Sequence, residues 1–146
     1  MEPLPFLDTL HASFHTEGVN PTTYSPLALA YLGDAVYDLI IRTLFVEKKN
    51  MPAKKLHGQT VRLVKAEAQA KLILAIEDAL TEDELAVFKR GRNAKSASVA
   101  KNASIHDYRN ATGFEALCGH LYLSGQTARI MGLIHLGFER LHIMEQ

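Results

Sequence analysis

The sequence predicts an all-α protein, a helical bundle around a buried central helix. Apolar residues recur at helical spacing along most of the chain, and helix start and stop signals separate these segments. No segment alternates apolar and polar residues for long enough to predict a strand. At 146 residues the chain has the length of one domain. We expect an N-terminal arm over residues 1–24 and one domain over residues 25–146.

The first predicted helices follow from proline and serine signals. Residues 1–24 hold three of the five prolines, which predicts an extended arm with one short helix at about residues 8–15. Ser25 is a suitable N-cap, and the Pro26 that follows it suits the first helical position. Together they predict the start of a long helix that continues to about Val46.

Capping and stop signals bound the later helices. A helical stretch is predicted over residues 52–80, and its pattern allows a break near Lys65. Thr81 and Glu84 have the spacing of a capping box, and Gly91 is expected to end the short helix that follows. The remaining expected elements are a polar loop over residues 92–105, a helix over residues 108–123 and a last amphipathic helix with apolar residues over positions 130–141.

Composition excludes several classes of protein. Sixteen Lys and Arg balance sixteen Asp and Glu, so the net charge is zero and a wholly basic nucleic-acid coat is excluded. The single cysteine, Cys118, can form neither an internal disulfide nor a cysteine-based zinc cluster. No apolar run approaches the roughly 18 residues that cross a bilayer, and the N-terminus does not resemble a signal peptide. We therefore expect a soluble, cytoplasmic protein with no membrane partner.

The predicted helix over residues 26–46 carries a stripe of charges on an apolar surface. Apolar residues cover almost every direction around its axis, which is typical of a buried central helix. Asp34, Asp38 and Arg42 follow at intervals of four, and Asp38 is placed for an intrahelical ion pair with Arg42. Asp34 has no such partner, and a buried carboxylate needs a cation, a metal ion or hydrogen-bond donors. Asp34 is therefore either functional or bonded to another helix.

A second acidic residue lies on the apolar stripe of the helix over residues 108–123. Glu115 follows Ala111 by four positions and precedes Cys118 by three, so it shares their inward face. Two buried acids raise each other's pKa unless a cation lies between them. Mg²⁺ suits such a pair because it needs few protein carboxylates and keeps several of its waters. The alternative is that each acid pairs with an arginine of its own.

The polar loop and the end of the helix before it are rich in positive charge. No acidic residue occurs between positions 85 and 106. The residues that we expect to bind phosphate oxygens of RNA are Arg90, Arg92, Asn93, Lys95 and Lys101. Aromatic residues that would stack on single-stranded bases are not interleaved with them, which favours contact with a duplex backbone. A solvated loop is the alternative, and a second basic cluster lies over residues 48–55.

Two motifs resemble the ribonuclease III family. The run LAYLGDAV over residues 29–36 resembles the family's signature helix. The run FEALCG followed by LYL, over residues 114–123, is similar to its second acidic helix. The segment KRGRNAKS over residues 89–96 is similar to the small Mini-ribonuclease 3 (Mini-III) branch. The resemblance spans roughly residues 25–125, nearly the whole predicted domain.

This resemblance implies an all-helical endonuclease that works as a homodimer and cleaves double-stranded RNA with Mg²⁺. Asp34 matches the metal-binding aspartate of the first motif and Glu115 the metal-binding glutamate of the second, so both are expected to be catalytic. Hydrolysis would leave 5′-phosphate and 3′-hydroxyl ends. The branch further implies maturation of precursor 23S ribosomal RNA, for which a ribosomal protein is a candidate partner.

The chain departs from the family pattern at two positions. Ala30 stands where ribonuclease III usually has Glu, and Thr112 stands where it usually has Asp. Half of the usual carboxylates are missing, so Asp38 or water molecules are candidates to replace them. The sequence also leaves no room for the family's C-terminal double-stranded-RNA-binding domain, and we expect the basic loop to hold RNA instead.

Two alternative functions stay open at this point. A double-stranded-RNA-binding or ribosome-assembly protein with the same fold would need no metal, but it would leave Asp34 and Glu115 without a cation. The dipeptide His106-Asp107 occurs in metal-dependent phosphohydrolases, yet the downstream aspartate that those enzymes need is absent. The seven histidines show no metal-ligand spacing, and Cys118 is expected to be a core residue.

Overall fold

A computed structural model of the chain describes residues 5–94 and 104–144. These residues form seven α-helices and two short 3₁₀ turns, with no β-strand among them, so the predicted all-α fold is confirmed. The helices are α1 (Phe6–Phe14), α2 (Pro26–Lys48), α3 (Ala53–Val64), α4 (Ala66–Ile76), α5 (Glu82–Asn93), α6 (Ile105–Leu123) and α7 (Thr127–Leu141). None of the helices within these described ranges is long and apolar enough to cross a bilayer.

Local capping signals place two helix starts where the sequence predicts them. The Ser25 hydroxyl accepts a hydrogen bond from the Ala28 backbone N–H at 3.1 Å, and Pro26 opens α2. At α5 the reciprocal capping box is complete. Thr81 Oγ1 accepts from the Glu84 N–H at 3.1 Å, and Glu84 Oε1 accepts from the Thr81 N–H at 2.9 Å. Because the first N–H groups of a helix have no partner within it, these bonds stabilise both helix starts.

Helix α6 starts almost one turn earlier than predicted, and the stretch over residues 52–80 is divided. α6 begins at Ile105, because the Ser104 hydroxyl accepts a hydrogen bond from the Asp107 N–H at 3.0 Å and caps the helix there. The division between α3 and α4 falls at Lys65, where the backbone is extended with φ −67° and ψ 156°. This is the break that the sequence pattern allowed.

Gly91 does not end α5, and this prediction is wrong. The helix continues to Asn93, and Gly91 lies buried inside it where α5 crosses α6. A Cβ atom at Gly91 would lie 2.8 Å from the Ala116 Cβ atom and 2.9 Å from the Gly113 Cα atom, closer than real side chains pack. The glycine therefore permits close helix packing and does not terminate the helix.

The buried centre of the bundle is α6, which packs against α2, α4, α5 and α7. The prediction that α2 is buried all round is wrong. Tyr37 and Ile41 of α2 are almost fully buried, whereas Tyr31 is 85% exposed and Leu39 is 66% exposed. Helix α2 therefore packs one side against the core and presents apolar residues to solvent on the other.

Aromatic and hydrogen-bond contacts join α2 to the corner between α3 and α4. The Tyr37 and Phe114 rings meet edge to face, with their centroids 5.1 Å apart. The Tyr37 hydroxyl donates to the Leu63 carbonyl at 2.9 Å, and Gln69 Nε2 donates to the Val64 carbonyl at 2.7 Å. Since α3 ends at this corner, its last carbonyls lack partners within the helix. Two buried side chains supply them.

Candidate active site

The site is built where α2 crosses α6 at two glycines. A Cβ atom at Gly33 would overlap the backbone oxygen of Glu115, and one at Gly119 would overlap the backbone oxygen of Leu29. Only glycine allows the two backbones to approach this closely. Asp34 follows Gly33 directly on α2. Because Glu115 is itself part of the crossing, the two acidic residues come together.

The carboxyl groups of Asp34 and Glu115 lie within hydrogen-bonding reach of each other. Burial raises the pKa of Glu115 to about 9, and the hydrogen bond to Asp34 and the negative charge of Asp34 add to this rise. The nearby Gln69 side chain acts in the opposite direction and lowers the same pKa. At neutral pH Glu115 therefore keeps its proton unless a cation takes the place of that proton.

Neither acid of the pair is neutralised by a basic residue within the described ranges. The ion pairs that these ranges contain are Asp38–Arg42, Glu67–Lys71, Glu84–Arg129, Glu139–His135 and Asp78–Arg140. Asp34 and Glu115 belong to none of them. The alternative in which each acid binds its own arginine is therefore not what this part of the structure shows.

The burial that the sequence predicted for Asp34 is wrong. Asp34 is exposed on α2, while Glu115 is half-buried. Desolvation therefore acts mainly on Glu115. The close helix crossing, and not a shared burial, joins the two residues. The exposure of Asp34 also leaves the pair open to solvent on one side.

The two positions that lack the usual family carboxylates have other contacts. Ala30 is buried in the core, and the Thr112 hydroxyl donates to the Tyr108 carbonyl at 2.9 Å within α6. Asp38 forms the ion pair with Arg42 that the helical spacing predicts, at 2.9 Å. Within residues 5–94 and 104–144 no group of three or more His, Cys, Asp or Glu side chains could hold a metal ion. The site therefore offers two carboxylates.

This donor set fits a hard divalent cation. Carboxylate oxygens are the ligands that Mg²⁺ prefers, and Mg²⁺ is commonly bound through one or two carboxylates while it keeps several waters. A neighbouring polar atom agrees with this fit. Gln69 Oε1 is buried, and no hydrogen-bond partner for it exists among the described residues. A donor such as a metal-bound water would satisfy it.

Gln69 and the glycine pair were missed from the sequence. Gln69 stands in the buried stripe of α4 at helical spacing. The other residues of this stripe are Leu72, Ile73 and Ile76. An amide in an apolar stripe was the available signal, because a buried amide needs hydrogen-bond partners. For Gly33 and Gly119 the signal was a glycine inside a helix, which costs stability unless close packing requires it.

The predicted RNA-binding residues are only partly within the described ranges. Arg90 and Asn93 are exposed at the end of α5. The Arg92 guanidinium lies over the Phe88 ring, 5.5 Å from its centroid, and Arg92 Nε donates to Asn93 Oδ1 at 3.3 Å. The two predicted residues outside the described ranges are Lys95 and Lys101.

The basic end of α5 lies close to the segment of α6 that carries the acid pair. Gly91 on α5 contacts Ala116, the residue that follows Glu115. Further along α6, burial lowers the pKa of His120, and the positive charge of Arg90 lowers it further. The two contacts place the cationic end of α5 along the same helix as Glu115.

The remaining reactive residues do not form a second site in the described ranges. The His106 ring contacts the Asn110 amide at 3.3 Å, and the Asp107 backbone N–H is bound by the Ser104 cap. Burial raises the pKa of the Cys118 thiol well above its usual range, so the thiol stays protonated and is a poor nucleophile. Cys118 is a buried core residue, as predicted.

Comparison with known proteins identifies the relatives of this chain. The Ribonuclease III domain family matches residues 27–126. Mini-ribonuclease 3 of Thermoanaerobacter sp. is 48% identical over 84% of this chain and 85% of its own length, and that of Clostridium tetani is 51% identical over 77% and 75%. The crystal structure of protein FN1578 from Fusobacterium nucleatum is similar with a TM-score of 0.73 and 28% identity, over 80% of this chain and 93% of that one.

Proposed function

The chain belongs to the ribonuclease III family, within its Mini-ribonuclease 3 branch, and is an endoribonuclease; from this premise we propose that it cleaves double-stranded RNA with a Mg²⁺ ion held by Asp34 and Glu115. Family membership also argues against the alternative of a binding or assembly protein without activity. The dipeptide His106-Asp107 needs no catalytic role in this proposal.

One observation carries the proposal, namely that two carboxyl groups meet without a basic residue between them. Two negative charges at hydrogen-bonding distance repel each other, so the pair needs either a proton or a cation. A protein that used the pair only for structure would gain more from an acid and a base. The arrangement therefore supports a cation site formed by Asp34 and Glu115.

When bound, Mg²⁺ would supply an activated water and neutralise the negative charge that develops on the phosphate during hydrolysis. The residues of the chain hold and expose the site. Glu115 is half-buried at the glycine crossing, which gives one carboxylate a rigid position. Asp34 is exposed, which gives a duplex access to the pair. Guanidinium groups such as that of Arg90 are suited to binding the backbone phosphates beside the cut.

The substrate and products follow from the resemblance. We propose precursor 23S ribosomal RNA as the natural substrate, 5′-phosphate and 3′-hydroxyl ends as products, and a ribosomal protein as a partner. The arm over residues 1–24, the domain over residues 25–146 and the cytoplasmic location stay predictions.

A homodimer is part of this proposal, and the exposed side of α2 supports it. Tyr31, at 85% exposure, and Leu39 place apolar surface in solvent next to Asp34. A second copy of the chain that covers this side would remove that surface from water. Sedimentation should show Tyr31→Asp as a monomer. The control Leu74→Asp, at an exposed leucine of α4, should sediment like the wild type.

Cleavage of a long RNA duplex by the purified protein tests the function directly. We expect discrete 5′-phosphorylated products with Mg²⁺ and none with EDTA. Asp34→Asn should lose this cleavage and keep a helical circular dichroism spectrum. Asp38→Asn is the matched control, because Asp38 lies one turn further along α2 and binds Arg42. Cleavage by Asp34→Asn at the rate of the wild type would show that Asp34 is not a metal ligand.

The salt dependence of RNA binding tests the basic residues near α5. Replacing Arg90, Arg92 and Lys95 with Gln should weaken duplex binding and lower the slope of log K against log salt by up to about 3, since each phosphate contact contributes about 0.9. The same slope is measured for a variant with Gln in the basic cluster over residues 48–55. If only that second variant changed the slope, RNA would follow the other basic surface.

A further inference from the structure

Gln69 is a buried amide whose surroundings are otherwise apolar. It is 2% exposed and lies on the side of α4 that faces the core. An amide removed from water without hydrogen-bond partners costs roughly 1–3 kcal/mol by protein mutational data. A glutamine at this position is therefore expected to have specific partners, and the structure shows two contacts.

The first contact ties Gln69 to the corner between α3 and α4. Gln69 Nε2 donates to the Val64 carbonyl at 2.7 Å. Val64 is the last residue of α3, and the extended backbone at Lys65 leaves its carbonyl without a partner inside a helix. This bond uses one of the two hydrogens of the amide nitrogen.

The second contact is with the acid pair. The Gln69 side chain lies within hydrogen-bonding reach of the Glu115 carboxyl and lowers the pKa of that group. A donor has this effect, because hydrogen bonds to a carboxylate favour its charged form. The amide therefore connects the end of α3 to Glu115 across the packing of α4 on α6.

The oxygen of the same amide is unsatisfied. Gln69 Oε1 is buried and accepts no hydrogen bond from any residue in the described ranges. A buried acceptor without a donor is costly, and native structures contain few of them. The amide contacts Glu115, so this free acceptor lies beside the two carboxylates.

We propose that Gln69 is a positioning residue of the nuclease, whose Nε2 orients the Glu115 carboxylate and whose Oε1 accepts a hydrogen bond from a water bound to the Mg²⁺ ion. The inference rests on the proposed function, in which Asp34 and Glu115 hold that ion. It also gives a reason why two carboxylates suffice where Ala30 and Thr112 stand. A neutral acceptor can order a metal-bound water without adding a third negative charge.

Cation binding to the free protein, without RNA, tests the proposal. Mn²⁺ titrations followed by electron paramagnetic resonance and Mg²⁺ titrations by calorimetry give dissociation constants. Gln69→Met keeps the volume of the side chain and removes both polar atoms. We expect it to weaken binding of both cations about tenfold, the lower end of what outer-shell partners of a metal contribute.

Tyr37→Phe is the matched control for the corner. It removes the neighbouring bond to the Leu63 carbonyl and leaves Gln69 in place. Both variants should lower the melting temperature of the metal-free protein, but only Gln69→Met should change the dissociation constant for Mn²⁺. Equal dissociation constants for wild type and Gln69→Met, or an equal weakening by Tyr37→Phe, would reduce Gln69 to a structural role and overturn the proposal.

Gln69→Glu keeps the test decisive if Gln69→Met does not fold. A carboxylate beside the pair should tighten Mn²⁺ binding several-fold if residue 69 faces the cation, and should leave it unchanged if the residue only ties the corner. Asp34→Asn separates the two hypotheses. If the wild type binds no Mn²⁺ or Asp34→Asn binds it equally well, the proposed function fails. If binding depends on Asp34 and is unaffected at residue 69, only the role of Gln69 fails.

Discussion

Two glutamates in this protein show how differently the same side chain behaves with different partners. Glu84 is almost fully buried, and its two carboxylate oxygens accept hydrogen bonds from Arg129 Nε and Nη2, both at 2.8 Å. The hydrogen bonds from Arg129 lower the pKa of Glu84 despite its burial. The Thr81 N–H adds a further bond. Glu84 is therefore an ionised residue that holds α5 to α7.

Glu115 has the opposite environment. Its nearest charged neighbour is another acid, Asp34, and burial together with that neighbour raises its pKa. Its remaining contact is the neutral amide of Gln69. The comparison teaches that burial alone does not distinguish a structural acid from a functional one. An acid that has its own arginine contributes to stability, whereas an acid paired with another acid supports binding of a cation.

The largest expected effect is the loss of activity in Glu115→Gln. We expect single-turnover cleavage of duplex RNA at saturating Mg²⁺ to fall by roughly 10²-fold or more, because electrostatic stabilisation of the transition state is lost. The free energy of unfolding of the metal-free protein should not decrease, because Gln removes the repulsion by Asp34. Urea denaturation measures that free energy. A Glu115→Gln protein that is less stable and still active would make Glu115 a second structural acid.

Arg129→Met should have the opposite pattern. It leaves the buried carboxylate of Glu84 unpaired and removes the bond from Arg129 to the Ala79 carbonyl at 3.0 Å. We expect a loss of roughly 2 kcal/mol in the free energy of unfolding, less than the 3–5 kcal/mol of a fully buried pair because the Arg129 side chain is 37% exposed. Cleavage per folded molecule should be unchanged.

The control for this variant is Arg140→Met. Arg140 binds Asp78 at 2.7 Å, but the Asp78 side chain is 75% exposed, so its loss should cost less than about 1 kcal/mol. If both arginine variants had the same stability in urea, the burial of Glu84 would have no effect on the strength of its ion pair.

The smallest expected effect is a change in acid stability. The pKa of Glu84 is lowered in the folded protein, so its carboxylate stabilises the fold fully above the pKa of the unfolded chain. This contribution is lost as the pH falls through the lowered pKa, since the folded state must then bind a proton that it disfavours. Glu84→Gln should therefore show a weaker decrease of the urea midpoint between neutral and acid pH than the wild type. Parallel pH curves for the two proteins would contradict this expectation.

Much of the helical framework could be predicted because its signals are local. The Ser25 cap, the capping box at Thr81 and the break at Lys65 depend on residues within one or two turns of each other. The acid pair could be proposed because Asp34 and Glu115 lie in recognisable motifs. Gly91 was misread because a glycine that ends a helix and a glycine at a helix crossing have the same local sequence.

The amino-acid sequence by itself determined the helices, the zero net charge and the two acidic motifs, because these depend on composition and on short-range spacing. Only the tertiary structure decided which side of α2 is buried, which helix is central and which residue joins Glu115 to the end of α3. These features depend on contacts between distant segments, and such contacts are set by how closely two backbones can approach. At Gly33 and Gly119 that approach brings Asp34 and Glu115 together.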